Sequence, residues 1–435
     1  MKELTYEEVL DQIEHQRRFG NRPGAEISAL MLEKLGRPQQ NMSVIHIAGT
    51  NGKGSVSAFL CSILKEAGIR TGMFTSPHLV DFRERICVDG QMISHEKVTR
   101  LGNMLLGEEF GTALTMFDYC LAIALLYYKE EQCQAAVIET GLGGRLDSTN
   151  AIGVPEVTVI TKIGYDHMAI LGDTLDKIAA EKAGIIKKGT KLVLESQKQE
   201  AMQILLETAE KEKITEIRIA DIHDVTDCRY ENGRQYFSCK NYKDLEMSML
   251  GVHQYENALA AIHAAEIFLK NRGISEEKAE YYIREGIRKT RWEGRMEILG
   301  KDPFFMVDGA HNSNGVAALA KSLRTLFPEE KFHFIMGVMA DKDYEEMIEE
   351  LLPLALDFKT VTVESERALA AKELSEKIRK KGICEAGLLR SFDELMPDRL
   401  DAAHKTIAFG SLYFVGEIKK YFRDVTKITK NLQIY

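Results

Sequence analysis

Short apolar runs rich in β-branched residues alternate along this chain with longer stretches of helical period. That rhythm marks βαβ units and predicts α/β domains on largely parallel sheets. The runs 43–48, 135–139, 157–161 and 191–195 read as buried strands, with helices over 53–67, 115–131, 174–183 and 198–212. Thr5 and Glu8 have the spacing of a capping box, so a first helix begins near Thr5 and ends before Gly20. Gly68 stops the helix that starts at Lys53. Alternating residues around Asn232-Gly233 predict a hairpin over 228–239, an antiparallel accessory to the parallel core.

A helix over 254–271 follows, and Gly294 to Pro303 reads as a linker. A fresh alternation then starts: strand 304–308, helix 312–327, strand 331–336, helix 343–352, strand 358–363, helix 371–380, strand 405–409, helix 411–421. The pattern therefore predicts a P-loop-type, mainly parallel sheet domain over 1–296, then a smaller Rossmann-like α/β domain over 297–435.

Composition narrows the class. The chain has 435 residues, 45% hydrophobic and 28% charged, an ordinary globular balance for two or three domains. A net charge of -9 argues against a protein that coats nucleic acid, while leaving small anionic ligands open. The seven cysteines are scattered and form no CxxC pair, which suits a reducing compartment. The start, Met-Lys-Glu-Leu-Thr, lacks the pattern of a signal peptide. The most apolar window, 112–128, carries Asp118 and falls short of the roughly 20 residues a membrane span needs. A cytoplasmic protein with no membrane or nucleic-acid partner is expected, and a monomer, since no exposed apolar stripe stands out.

The first candidate for chemistry is Gly49-Thr-Asn-Gly-Lys-Gly-Ser55, between a strand and a helix. Glycines let backbone amides turn inward around phosphate oxygens, and the helix N-terminus adds its dipole. Lys53 would reach the terminal phosphates, and Ser55 holds the place of a hydroxyl that assists magnesium. Gly54 breaks the strict Walker spacing, so the bland alternative is a glycine-rich turn with an exposed lysine. Glu139 ends an apolar strand, where P-loop enzymes place a Mg²⁺-holding acid; otherwise it is a carboxylate facing solvent. Loop 140–150 has the Gly, Asp, Ser and Asn content of a shaped loop, directly after Glu139. Arg85 could steer anionic groups or pair with Glu84, and Thr115 and Phe117 could line a pocket or simply pack their helix.

The segment Thr50-Asn-Gly-Lys-Gly-Ser55 resembles the variant loop of the Mur ligase superfamily. The likeness is closest to the folylpolyglutamate synthase/dihydrofolate synthase family. It recurs in Thr75-Ser-Pro-His-Leu79, Glu84-Arg-Ile86, Glu139 to Asn150, Asp166-His167, Glu181-Lys-Ala-Gly184, His253-Gln254 with Asn257, Trp292-Glu-Gly-Arg295, Asp308-Gly-Ala-His-Asn312 and Gly410-Ser-Leu-Tyr413.

The resemblance implies ATP as cofactor, held by Asn51, Gly52, Lys53, Gly54 and Ser55, with Asn257, Arg295 and Asp308 completing the nucleotide site. It implies two Mg²⁺ ions, one on Ser76 and Glu139, the other on Glu139 and His167. Lys182, by spacing alone a solvated helix lysine, is implied to carry a carbamate formed with CO₂. Leu146, Asp147 and Ser148 are implied to contact the folate, while Asp118 stands where the family usually has Glu. His311 and Ser411 are the candidates for binding L-glutamate.

The implied activity is ATP-dependent ligation of L-glutamate to a folate or to 7,8-dihydropteroate. It proceeds through an acyl phosphate to ADP and phosphate. A cell-wall Mur ligase would need a UDP-sugar domain before the loop, and only 48 residues precede Gly49. A non-ligase ATPase or regulator is the alternative of another class.

Overall fold

The structure is a computed structural model that describes residues 3–16 and 24–432, with side chains to 425. It divides into two compact units, one of Met1–Ser248 with Gln254–Thr290, the other of Met249–His253 with Arg291–Tyr435. The first helix, Tyr6–Glu14, is opened by the Thr5–Glu8 capping box; Gly20 lies outside the described residues.

The first unit is built on eight strands: β1 (Ser43–Ala48), β2 (Thr71–Phe74), β3 (Ile86–Val88), β4 (Gln91–Met92), β5 (Ala135–Glu139), β6 (Val157–Ile160), β7 (Lys191–Glu195) and β8 (Ile217–Ala220). Their order is β4-β3-β2-β5-β1-β6-β7-β8. Strands β2, β5, β1, β6, β7 and β8 run parallel, and β3 and β4 close one edge antiparallel. Burial on both faces explains why β1 and β5 are largely apolar and do not alternate with polar residues. One face packs on the apolar helix Met116–Glu130 and on helices Leu175–Ala183 and Gln199–Lys211, and helix Lys53–Glu66 covers β1, β2 and β5 from the other. Because β1 sits between β5 and β6, the loops leaving these three strands open at the same end of the sheet.

A three-stranded antiparallel sheet adds β9 (Val225–Glu231), β10 (Arg234–Cys239) and β11 (Tyr242–Met247). The hairpin is centred on Asn232 and Gly233, both with positive φ (53° and 77°), as a two-residue turn requires. Its third strand was not legible in the pattern.

The second unit holds β12 (Glu297–Lys301), β13 (Phe304–Asp308), β14 (Phe332–Met336), β15 (Ala355–Thr360), β16 (Glu385–Leu388) and β17 (Lys405–Phe409), in the order β12-β13-β17-β14-β15-β16. All pairs are parallel except β12 with β13. The expected linker 294–303 is thus corrected: half of it, Glu297–Lys301, is an antiparallel edge strand, whose pairing shifts register between Ile298 and Gly300. The strand expected over 358–363 also lies earlier, at Ala355–Thr360, because register with β14 fixes it there. Among the described residues, no helix is long and apolar enough to cross a membrane.

Candidate active site

Strand β1 delivers the glycine-rich loop 49–55 at the centre of the sheet. Gly52 takes φ 93°, and a Cβ there would lie 2.4 Å from Asn257 Oδ1, so only glycine fits. The Lys162 carbonyl accepts from both Thr50 N (2.9 Å) and Asn51 N (3.2 Å), and Thr161 Oγ1 donates to Asn51 O (2.7 Å). These bonds pin the loop to the end of β6. Asn257 Nδ2 donates to Gln254 Oε1 (2.8 Å), and Gln254 Nε2 to Ser55 Oγ (3.3 Å), so helix His253–Lys270 braces the first turn after the loop.

Three charged groups converge on this loop. Lys53 Nζ donates to Gly49 O (3.1 Å) and Thr50 O (3.3 Å) and stands 3.8 Å from Glu139 Oε1. Glu139 pairs in register with Ile47 of β1, which places its carboxylate beside the loop. It is buried, not the solvent-facing acid of the bland reading. Lys182 is only 3% exposed and donates to Gly49 O at 2.9 Å, so it is no solvated helix lysine. Burial, and secondarily the charge of Lys53, lowers its pKa from 10.5 to about 7.

Ser76 is half-buried in the loop that leaves β2. His167 adopts left-handed backbone (φ 51°, ψ 36°), a conformation costing about 1 kcal/mol outside glycine, and its imidazole lies 3.8 Å from Asp166. Strain of that kind collects where a side chain must be aimed.

Loop 140–150 is shaped by its own acids. Asp147 accepts from the amides of Leu142 (2.8 Å) and Thr149 (3.0 Å) and from the Thr149 hydroxyl. Burial raises its pKa, and those bonds oppose the rise. Asp118 is wholly buried and accepts from Ser148 Oγ (2.8 Å), Ser28 Oγ, and the amide (2.8 Å) and hydroxyl of Thr115. The Thr115 and Ser148 hydroxyls are therefore committed to Asp118, and Asp147 to the loop. Leu146 projects, 48% exposed. Phe117 lies tilted against Phe74 (centroids 5.5 Å apart) and packs on Gly141, where an added Cβ would meet its ring at 2.7 Å.

Arg85 does not take Glu84 as partner. The Glu84 carboxylate accepts from the amides of Leu79, Val80 and Asp81. Arg85, buried, instead donates from Nε to His78 Nδ1 (2.9 Å). Burial and the Arg85 charge hold His78 down to about 4, so the imidazole accepts in its neutral form.

In the second unit, β13 and β17 are parallel neighbours, with Asp308 opposite Phe409. Asp308 accepts from Met296 N and Ala310 N (both 2.8 Å), and Gly309 N donates to Gly294 O (2.8 Å). That fold of the chain lays the Arg295 guanidinium over Gly309. His311 Nδ1 donates to Gly309 O (2.8 Å), and Gly410 N to Ala310 O (3.0 Å), which brings Ser411 alongside. Buried Ser411 accepts from Tyr413 N (3.1 Å), opening the last helix.

The Mur ligase middle domain matches residues 47–265, and the Mur ligase glutamate ligase domain matches 294–409. The chain is 35% identical to the dihydrofolate synthase/folylpolyglutamate synthase of Bacillus subtilis, over 96% of this chain and 99% of that one. It belongs to that family of Mur ligases. The crystal structure of Mycobacterium tuberculosis folylpolyglutamate synthase complexed with ADP and AMPPCP superposes with a TM-score of 0.83 at 28% identity, covering 96% and 97% of the chains. Escherichia coli FolC in complex with DHPP and ADP gives 0.82 at 25% identity, over 97% and 99%.

This family member is an ATP-dependent ligase. Its first unit brings Asn51 to Ser55, Glu139, Lys182 and Asn257 together; its second brings Arg295, Asp308, His311 and Ser411 together. Sequence reasoning assigned nothing to Gln254, Thr161 or Asp166. Gln254 and Thr161 act through partners far along the chain, which no local spacing signals. Asp166 was visible as the neighbour of His167. For magnesium, the donors at this end fit in kind: a buried carboxylate and a hydroxyl suit a hard cation, with an imidazole and Asp166 at the rim.

Proposed function

We propose that this ligase joins L-glutamate to a reduced folate and to 7,8-dihydropteroate. ATP supplies a phosphoryl group to the substrate carboxylate, the glutamate amine displaces phosphate from the acyl phosphate, and an amide, ADP and phosphate result. The convergence of Lys53, Glu139 and Lys182 on Gly49 carries this reading. Amides of Gly52, Gly54 and Ser55 cradle the triphosphate while the Asn51 amide holds the loop to Lys162, and Lys53 swings from the loop carbonyls to the transferring group. Two Mg²⁺ ions, when bound, neutralise charge on that group; Ser76 with Glu139, and Glu139 with His167, would hold them.

Lys182 has the chemistry for carbamylation. Its amine, lowered to about 7, is substantially neutral at physiological pH and can attack CO₂, releasing a proton and leaving a carbamate anion. Leu146 and Phe117 offer the apolar surface for a pterin or aminobenzoate ring, and Arg85 a buried positive charge for the substrate's carboxylate. Asp147, Ser148 and Thr115 contribute by holding that loop in shape. In the second unit, His311 and Ser411 are assigned to the incoming glutamate, and Arg295 and Asp308 to an anionic ligand and its loop.

The test is phosphate release from ATP with dihydropteroate and tetrahydrofolate offered separately, each with and without L-glutamate. ADP and phosphate should form only when a pterin and glutamate are both present. Glutamate-independent turnover, or AMP as product, sinks the reading.

A further inference from the structure

The ends of the second unit's strands opposite Asp308 and Ser411 carry a separate cluster. His333 is the second residue of β14, Asp357 lies on β15 directly opposite it in register, and Asp401 and His404 sit in the turn that enters β17. His404 and Phe409 are about 15 Å apart along the strand direction, so this cluster is remote from Ser411.

Its atoms are arranged in two layers. His333 Nδ1 lies 3.0 Å from Asp357 Oδ1, which makes Nδ1 the donor there, so Nε2, which faces Asp401 Oδ2 across a proton, offers its lone pair to a cation that displaces that proton. Asp401 Oδ1 is occupied by Ala403 N (2.8 Å), so Oδ2 alone faces the rings, 3.1 Å from His333 Nε2 and 2.8 Å from His404 Nδ1. The two imidazoles meet edge to face, centroids 5.7 Å apart. One ligand atom from each of His333, Asp401 and His404 lies within 4.8 Å of the others.

We propose that His333 Nε2, His404 Nδ1 and Asp401 Oδ2 bind a borderline divalent cation such as Zn²⁺, with Asp357 as the carboxylate that orients His333. Two imidazoles and one carboxylate select a transition metal over Mg²⁺ or Ca²⁺. Bonds of about 2.1 Å at a tetrahedral angle put ligand atoms about 3.3 Å apart, and the present 2.8–3.1 Å needs only small rotations of half-exposed side chains. Three protein ligands leave one position for water, as the partly open surface around His404 allows.

The experiment uses the full chain, stripped with chelator, and titrates Zn²⁺ against a chromophoric competitor. Wild type should bind one more tight equivalent than His404→Ala or Asp401→Asn, both surface changes that leave the fold's melting temperature in place. Asp357→Ala should keep that equivalent but weaken it by about 10–100-fold. Co²⁺ should give the intense visible bands of a tetrahedral site in wild type, and these should vanish in His404→Ala. Equal Zn²⁺ stoichiometry and affinity in wild type and His404→Ala would overturn the site, leaving His333 as a proton-bridged link between two carboxylates. Absence of the Co²⁺ bands in wild type would do the same.

Discussion

Two buried polar clusters of the first unit are satisfied in opposite ways. Around Asp118 and Asp147, every carboxylate oxygen accepts hydrogen bonds, from serine and threonine hydroxyls and from loop amides. Around Lys182, a buried ammonium with three protons to donate has one acceptor, the carbonyl of Gly49, and faces the charge of Lys53. The first arrangement spends its polarity on holding a loop in place. The second keeps polarity in reserve, at a cost to stability, and that reserve is what a reaction can draw on.

The sharpest way to break this contrast is Lys182→Met. Turnover in the phosphate-release assay should fall by ~10²-fold or more, while the midpoint of urea unfolding rises, since a buried amine gives way to an apolar chain. Short carboxylates should partly restore turnover in Lys182→Ala if a carbamate is the working group. Full activity in both variants would place Lys182 with the structural cluster.

Next in size is Asp118→Ala, which strands the donors of Ser28, Ser148 and Thr115 in the core. It should cost about 3 kcal/mol in urea unfolding, with Asp118→Asn costing less because one acceptor oxygen survives. A loss under about 0.5 kcal/mol would show that these bonds are dispensable.

The smallest effect is a pH dependence. The Lys182 pKa is about 7 in the folded chain against 10.5 when unfolded. Between those values the unfolded chain binds the extra proton, so stability rises with pH from about 7 upward and the gain is absent below it. In CO₂-free buffer, wild type should gain about 1–2 kcal/mol over Lys182→Met between roughly pH 6.5 and 9. A constant difference across that window would mean the amine stays charged.

Legibility followed the length and locality of the signal. Strands β1 and β5 are largely apolar, β1 broken only by the buried His46, and both were readable with the Gly49 and Glu139 at their ends. Strand β2, Thr-Gly-Met-Phe, is four residues with a glycine and offers no period, so its pairing with β5 could not be anticipated. Strand β12 was hidden by Gly300 and the adjacent Pro303, which mimic a linker. At the site, Lys53 and Glu139 were legible from their loop and strand. Lys182 has the local pattern of an exposed helix lysine, and only the family likeness singled it out; its burial comes from the tertiary fold. The commitment of Ser148 to Asp118 joins residues 30 apart and was equally out of reach, whereas Thr115 and Asp118 are three apart and have the spacing of a capping box.

One close approach limits how such a loop can change over time. A side chain at Gly49 would begin 1.8 Å from Thr161 Oγ1, the hydroxyl that also ties β6 to Asn51. Neither position can drift alone: enlarging the first collides with the second, and trimming the second unties the loop. Variation here must arrive as paired changes, each deleterious by itself, which leaves a lineage few routes to another loop of this shape.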